Sequence, residues 1–332
     1  MHAIDTLNAV LAASEKRRTE RRRFLHAAGA ATAMVGGLTL LSACGSDSNG
    51  ASPSPTPSPT PTPTPTATVN DFDILNFALN LEYLEAQFYS FAVTGQGLPA
   101  TMLTGTGTQG AVVGGRAVTF SDPVVQQYAR EIAGDEIAHV AFLRSVLTTM
   151  AVAQPAINID GGPTGAFTAA ARAAGVVSST GVFDPYADDN SFLLGAFIFE
   201  DVGVTAYKGA APLITNKGYL EAAAGILAAE AYHAGLVRTV LYSKGIATPS
   251  LITNAGKISD ARDSLDGPSD DDQGLTGTDT SASNIVPTDS NSIAYSRTPG
   301  QVLHIVYLNA ISITVGGGFF PNGVNGTINA AN

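Results

Sequence analysis

At 332 residues with 45% apolar side chains, the chain is long enough to bury a sizeable core. Its formal net charge of -11 excludes nucleic acid as a partner, because phosphate backbones require clustered Lys and Arg. It has no Trp, which excludes tryptophan-based peroxidase chemistry, and a single Cys, which excludes an internal disulfide.

Residues 1–43 read as an address. Arg21-Arg22-Arg23-Phe24-Leu25 is a twin-arginine signature, an apolar run follows from Ala27 to Ala43, and Leu41-Ser42-Ala43-Cys44 matches a lipoprotein cleavage box. The run is short, rich in Gly and Ala, and ends in that box, so it predicts an export signal and not a spanning helix. Cys44 is then the lipid acceptor, which predicts a protein exported by the twin-arginine pathway and anchored in the membrane of the cell envelope. Proteins of that export class cross the membrane folded, so metal loading in the cytoplasm is expected. The remaining chain keeps 11 basic against 25 acidic side chains, scattered as on a solvated surface. Residues 44–69 form a linker in which Pro alternates with Ser or Thr, an extended polyproline II spacer spanning roughly 45 Å. A ligand for a signalling domain is the alternative reading of such a segment.

Helical signals begin at residue 71. A first helix is expected over residues 71–93, with Leu75, Ala78, Leu81 and Phe88 on an apolar stripe into which Glu82 falls. Residues 95–121 are rich in Gly and Thr and predict a loop or short hairpin. Asp122-Pro123 is a helix start, and the second helix runs to about residue 150 with Glu136 and His139 on it. Asp135, about 100° around that helix from Glu136, reads as solvated. Residues 151–190 predict a long crossover with a short helix over 166–174. A third helix follows, capped by Asp189 or Asn190 and reaching about residue 214, and a fourth, capped by Asn216, over 217–243. Residues 70–245 therefore predict a four-helix bundle, and residues 246–332 an irregular C-terminal extension. That extension is rich in Asp, Ser, Thr and Gly, with a short helix over 299–308 and a strand and turn from residue 311 onward. It is expected to wrap the bundle or to meet another subunit. His304 has no acidic partner at helical spacing and reads as structural or surface. Asp270-Asp271-Asp272 lacks calcium-loop spacing.

The chemistry lies in a repeated spacing. Glu136 and His139 are three residues apart, as are Glu230 and His233, which puts each pair on one helical face. Glu82 and Tyr89 are seven apart, as are Glu200 and Tyr207, two turns along one face. The order Glu-x6-Tyr, Glu-x-x-His, Glu-x6-Tyr, Glu-x-x-His describes two helical hairpins that repeat in chemistry. Turned inward, these faces collect four carboxylates and two imidazoles, a set suited to two divalent cations bridged by carboxylates. A buried hydrogen-bonded network is the alternative, but so many unpaired buried carboxylates would cost several kcal/mol each without a cation. Glu85, one turn beyond Glu82, is expected to support the ligands rather than to join them. Tyr89 and Tyr207 are candidate redox residues or hydrogen-bond partners of the ligating carboxylates, the latter being the commoner role of buried Tyr.

Asn80-Leu81-Glu82-Tyr83-Leu84-Glu85-Ala86-Gln87-Phe88-Tyr89 resembles the first helix of ferritins and rubrerythrins, with Glu82 at the position of the metal-ligating Glu. Over the whole chain the resemblance is to the ferritin-like desiccation-related or stress-related proteins, and it includes Ser296-Arg297-Thr298-Pro299 and Gly318-Phe319-Phe320-Pro321. The pair Glu230 and His233 departs from true ferritins toward a symmetric, rubrerythrin-like site, so a cage-forming iron store is not implied. What the resemblance implies is an all-α ferritin-like bundle with two iron or manganese ions. Three activities are implied: oxidation or scavenging linked to O2 or peroxide in stress protection, manganese-catalase-like peroxide disproportionation, or a non-catalytic protective role in which metal holds the bundle together. The ligand types do not choose between iron and manganese, and oligomeric state, homo-oligomer included, is left open.

Overall fold

The computed structural model describes residues 69–277, 282–311 and 314–331. The twin-arginine signature, Cys44 and the Pro-rich spacer lie outside the described residues. In chain order the elements are α1 (Asp71–Thr94), β1 (Val112–Gly114), α2 (Pro123–Leu147), β2 (Ile157–Ile159), α3 (Ala166–Ala173), α4 (Asp189–Ala210), α5 (Lys217–Ala247), α6 (Ser250–Asp266) and α7 (Pro299–Val306). The all-α four-helix bundle expected from the sequence is the one observed: α1 packs on α2, α4 packs on α5, and the two hairpins meet along α1 and α4.

Local chemistry sets the helix ends. The side chain of Asn70 accepts the N–H groups of Phe72 and Asp73 at 2.9 and 3.3 Å, and Asp73 accepts that of Asn70 at 2.9 Å, a reciprocal cap. Gly95 ends α1 with φ +76°, a left-handed conformation that a Cβ would strain. Asp122 caps α2 ahead of Pro123, and Asn216 caps α5, both as expected. At α4 the cap is Asp188, which accepts the N–H of Ser191 at 2.8 Å, in place of Asp189 or Asn190. Asp189 turns instead to the N–H groups of Ser121 and Asp122, at 3.0 and 3.2 Å, and ties the start of α4 to the start of α2. Helix α5 outruns its expected end because no Pro interrupts it before Pro249.

Three other expectations are corrected. Helix α1 shows no one-sided stripe: nearly every residue from Ile74 to Ala92 is buried, because the tail covers its outer face. Asn80 exchanges hydrogen bonds with the backbone of Asn325, and Leu81 and Leu84 share a small cavity with Ile305, Val306 and Phe319. Residues 95–121 do not form a hairpin with themselves; β1 pairs in parallel with β2 of the crossover, Val112 opposite Ile157. A parallel pair needs a long connection, which α2 supplies. The extension is less irregular than its composition suggests, since α6 is a regular helix burying Leu251, Ala255, Ile258 and Arg262. The strand expected from residue 311 is represented among the described residues by isolated bridges, Thr314 to Ala331 and Gly317 to Phe320.

Two clusters bind the tail to the bundle. One is aromatic: Phe88 of α1, Phe167 of α3, Phe199 of α4 and Phe319 of the tail pack with ring centroids 4.9 to 5.6 Å apart. The other is ionic and fully buried. Asp201 accepts from Arg238 at 2.8 Å and from Arg262 at 2.9 Å, Asp272 joins Arg262 at 2.7 Å to Arg297 at 3.0 Å, and Arg297 also meets Asp266. Asp272 is thereby neutralised within the protein. His304 is buried, its Nδ1 2.6 Å from the carbonyl of Asn309, a structural role. No helix among the described residues is long and apolar enough to cross a membrane.

Candidate metal centre

Glu82 and Glu200 sit at mid-length on α1 and α4, where the hairpins face each other, while α2 and α5 each present a Glu-x-x-His pair to the same interior. All four glutamates are buried to 1% exposure or less. Glu136 lies between the imidazoles, its Oε1 3.1 Å from His233 Nδ1 and its Oε2 3.5 Å from His139 Nδ1. His139 Nδ1 is also 3.2 Å from Glu82 Oε2 and 3.8 Å from Glu230 Oε1, and His233 Nδ1 is 3.6 Å from Glu200 Oε2. Two groups of donors result, Glu82, Glu136, His139 and Glu230 in one and Glu200, Glu230 and His233 in the other, each with its atoms within 4.8 Å of one another. Glu230 belongs to both groups, and Glu136 spans both imidazoles.

The tyrosines cross over. Tyr89 of α1 donates to Glu200 of α4, and Tyr207 of α4 donates to Glu82 of α1. Residue numbers rise on one helix as they fall on the other, so α1 and α4 are antiparallel and a step of seven residues on each brings its Tyr level with the opposite Glu. Each Tyr occupies the face expected for it. Its acceptor is the glutamate of the other hairpin.

The electrostatics state what the site lacks. Eight buried atoms have no hydrogen-bond partner: Glu82 Oε2, both oxygens of Glu136 and of Glu230, Glu200 Oε2, and Nδ1 of His139 and of His233. One atom from each of these residues falls in one or both of the two donor groups. Burial raises Glu82 to about 7, with help from the charge of Glu136, and raises Glu200 to about 8. Burial and the surrounding carboxylates lift Glu85 and Glu230 well above the ordinary range. Burial opposes the charge on Glu136 too, but the adjacent imidazoles of His139 and His233, in ion-pair contact with it, prevail and hold it at about 2. Burial disfavours the imidazolium of His139, yet Glu136 and Glu82 carry it to about 10, and Glu136 and Glu200 likewise bring His233 to about 9. Without a cation this cluster retains protons to offset its own charge. Convergent, buried, unpartnered O and N donors of this kind fit divalent iron or manganese, and a cation would take the place of those protons.

Neighbouring residues shape the set. Asp135, expected to be solvated, is half-exposed, but its Oδ2 lies 3.1 Å from His233 Nε2, where it fixes the ring with Nδ1 turned inward. Intrahelical angle did not reveal this, because His233 arrives from another helix. Glu85 is buried beside the four glutamates and is absent from both donor groups. Gly203 on α4 was not singled out by sequence. A Cβ there would lie 2.2 Å from Glu230 Oε2, so only glycine leaves room for that carboxylate.

Comparison with known proteins agrees with this architecture. A family model described as a ferritin-like domain matches residues 70–243. The ferritin-like catalase Nec2 of Nesocodon mauritianus is 29% identical over 273 residues, covering 78% of this chain and 84% of that protein. The desiccation-related protein PCC13-62 of Craterostigma plantagineum is 29% identical over 252 residues, 70% of this chain and 76% of that protein.

Proposed function

The chain belongs to the ferritin-like family, and on that premise we propose that it is a dimetal carboxylate protein, loaded with iron or manganese, that disproportionates peroxide to water and O2. The observation that carries the proposal is the set of eight unpartnered donor atoms on Glu82, Glu136, His139, Glu200, Glu230 and His233. Glu82 with His139 would hold one ion and Glu200 with His233 the other, with Glu136 and Glu230 shared between them. Two such ions supply Lewis acidity and two-electron redox chemistry.

The protein's own groups do the rest. Tyr89 and Tyr207 orient Glu200 and Glu82 by donating to the oxygens that face away from the centre. Burial beside Glu136, Glu200 and Glu82 pushes the Glu85 carboxyl well above the ordinary range, which suits it to hold a proton at the edge of the site. The aromatic core under α1 and α4 keeps bulk water from the inner side. Disproportionation needs no separate electron donor, because peroxide serves as both oxidant and reductant. The printed name of the Nesocodon relative supports the same choice. Location is part of the proposal: Arg21-Arg22 and Cys44 support export through the twin-arginine route and lipid anchoring in the envelope, with the Pro-rich segment as spacer. Undiminished export after Arg21→Lys and Arg22→Lys together would refute that route.

The test is metal analysis joined to oxygen release. Full-length protein should hold about two ions per chain and evolve O2 from peroxide without added reductant, and a Glu136→Ala/Glu230→Ala variant should lose both. Turnover only with an added donor would instead indicate a peroxidase or ferroxidase. Bound metal without any turnover would leave it a structural cross-link. No bound metal in either protein, both folded, would sink the dimetal reading.

A further inference from the structure

The donor set is symmetric, but its surroundings are not. In the second hairpin the residue before Glu230 is Ala229, where the first hairpin has Asp135 before Glu136. His233 is therefore backed by a carboxylate on its outer nitrogen, whereas the contacts of His139 with the cluster all run through Nδ1. Outside His139 lies a groove of about 460 Å³ between α2 and α5, lined by His139, Phe142, Gly218, Glu221, Ala222, Gly225 and Ile226. A second cavity of about 240 Å³ shares Phe142, Gly218, Ala222 and Ile226 with it and reaches Tyr207. Both cavities thus end on partners of Glu82. The side chain of His139 is 12% exposed at the floor, against 6% for His233. The groove exists because α5 presents small residues where it passes Phe142. Gly225 in particular is exposed, with nothing within 4 Å of the place a Cβ would occupy.

We propose that this groove between α2 and α5, with Gly225 on its rim, is the entrance by which small oxidants reach the centre, and that they arrive on the Glu82/His139 side. The inference rests on the peroxide reading above for its substrate, and on geometry alone for the route. The apolar side chains of Phe142, Ala222 and Ile226 on the rim suit the passage of a small neutral molecule such as peroxide.

Two measurements test it independently. In full-length protein carrying Cys44→Ser, a thiol introduced as His139→Cys should react with a methanethiosulfonate reagent roughly tenfold or more faster than one introduced as His233→Cys, because the latter needs local opening. Adding Gly225→Trp, or Glu221→Trp one turn away on the same rim, should slow the first thiol by a similar factor, while Gly225→Ala should not. Equal rates at the two positions, or indifference to both Trp variants, overturn the route whatever metal the protein holds. In metal-loaded protein, Gly225→Trp should keep its metal content and lose roughly tenfold in kcat/KM for peroxide. Metal-loaded wild type without turnover would overturn the peroxide reading while the thiol rates still decide the entrance.

Discussion

Replacing Gly203 by Ala adds one carbon to the most crowded point of the centre. The new Cβ would lie 2.2 Å from Glu230 Oε2 and 3.0 Å from its carboxyl carbon. Unstrained heavy-atom contacts begin well above 3 Å, so Glu230 must withdraw by about 1 Å or more. Glu230 belongs to both donor groups, so the withdrawal weakens both halves together. Displacing a ligand on that scale should cost about 10- to 100-fold in metal affinity. The metal-free protein should respond far less. Crowding costs about 1–3 kcal/mol, and removing a helical glycine returns about 0.5–1 kcal/mol. The assay is competition against a colorimetric chelator, read beside thermal melts of metal-free and metal-loaded protein. Gly134→Ala on the exposed face of α2, where a Cβ meets nothing within 4 Å, is the control. It should gain about 0.5–1 kcal/mol of stability and keep its affinity. Wild-type affinity in Gly203→Ala would refute the placement of Glu230 and its shared role.

Asp135→Ala frees the outer nitrogen of His233, and should lower metal affinity about tenfold or more, with the loss confined to one of two titration steps; a uniform loss would contradict the assignment of Asp135 to His233. The metal-free protein should have an unusual pH profile. Glu82 and Glu200 rise from the ordinary 4.5 to about 7 and about 8, and His233 and His139 from 6.5 to about 9 and about 10. Each raised group stabilises the fold below its unfolded value and ceases to do so as pH climbs through its folded value. The metal-free Tm should therefore fall between about pH 4.5 and about pH 10, while metal affinity rises as protons leave the ligands; calorimetry that shows a flat or rising metal-free Tm would contradict the cluster. Arg262→Met strands Asp201 and Asp272 with one arginine each and removes the hydrogen bond from Arg262 to the carbonyl of Phe197. The expected loss is about 3–5 kcal/mol in urea unfolding, because a broken buried ion network leaves uncompensated charge.

What sequence revealed follows from what a single helix fixes. A spacing of three or seven residues sets a shared face wherever the helix is packed, so the convergence of Glu82, Glu136, His139, Glu200, Glu230 and His233 was legible from spacing alone. The partner of each Tyr was not, because it depends on the antiparallel register of α1 against α4. The role of Asp135 was hidden for the same reason, although its lack of a counterpart at Ala229 stands in the sequence. Helix α6 was missed because composition outweighed period: Leu251, Ala255 and Ile258 keep helical spacing among Asp, Ser and Gly, and the buried positions that follow hold Ser259 and an ion-paired Arg262. The burial of α1 on all sides depends on a tail more than two hundred residues away, which no local window contains.

The crossed tyrosines bear on timing as well as on geometry. Because Glu82 is gripped from α4 and Glu200 from α1, neither hairpin by itself presents a finished half of the centre. Any ion the site takes would therefore meet aligned carboxylates only after the hairpins have docked. Keeping Glu82 and Glu200 in place depends on the α1–α4 seam staying closed, which would tie metal retention to the opening of that seam as well as to the individual bonds.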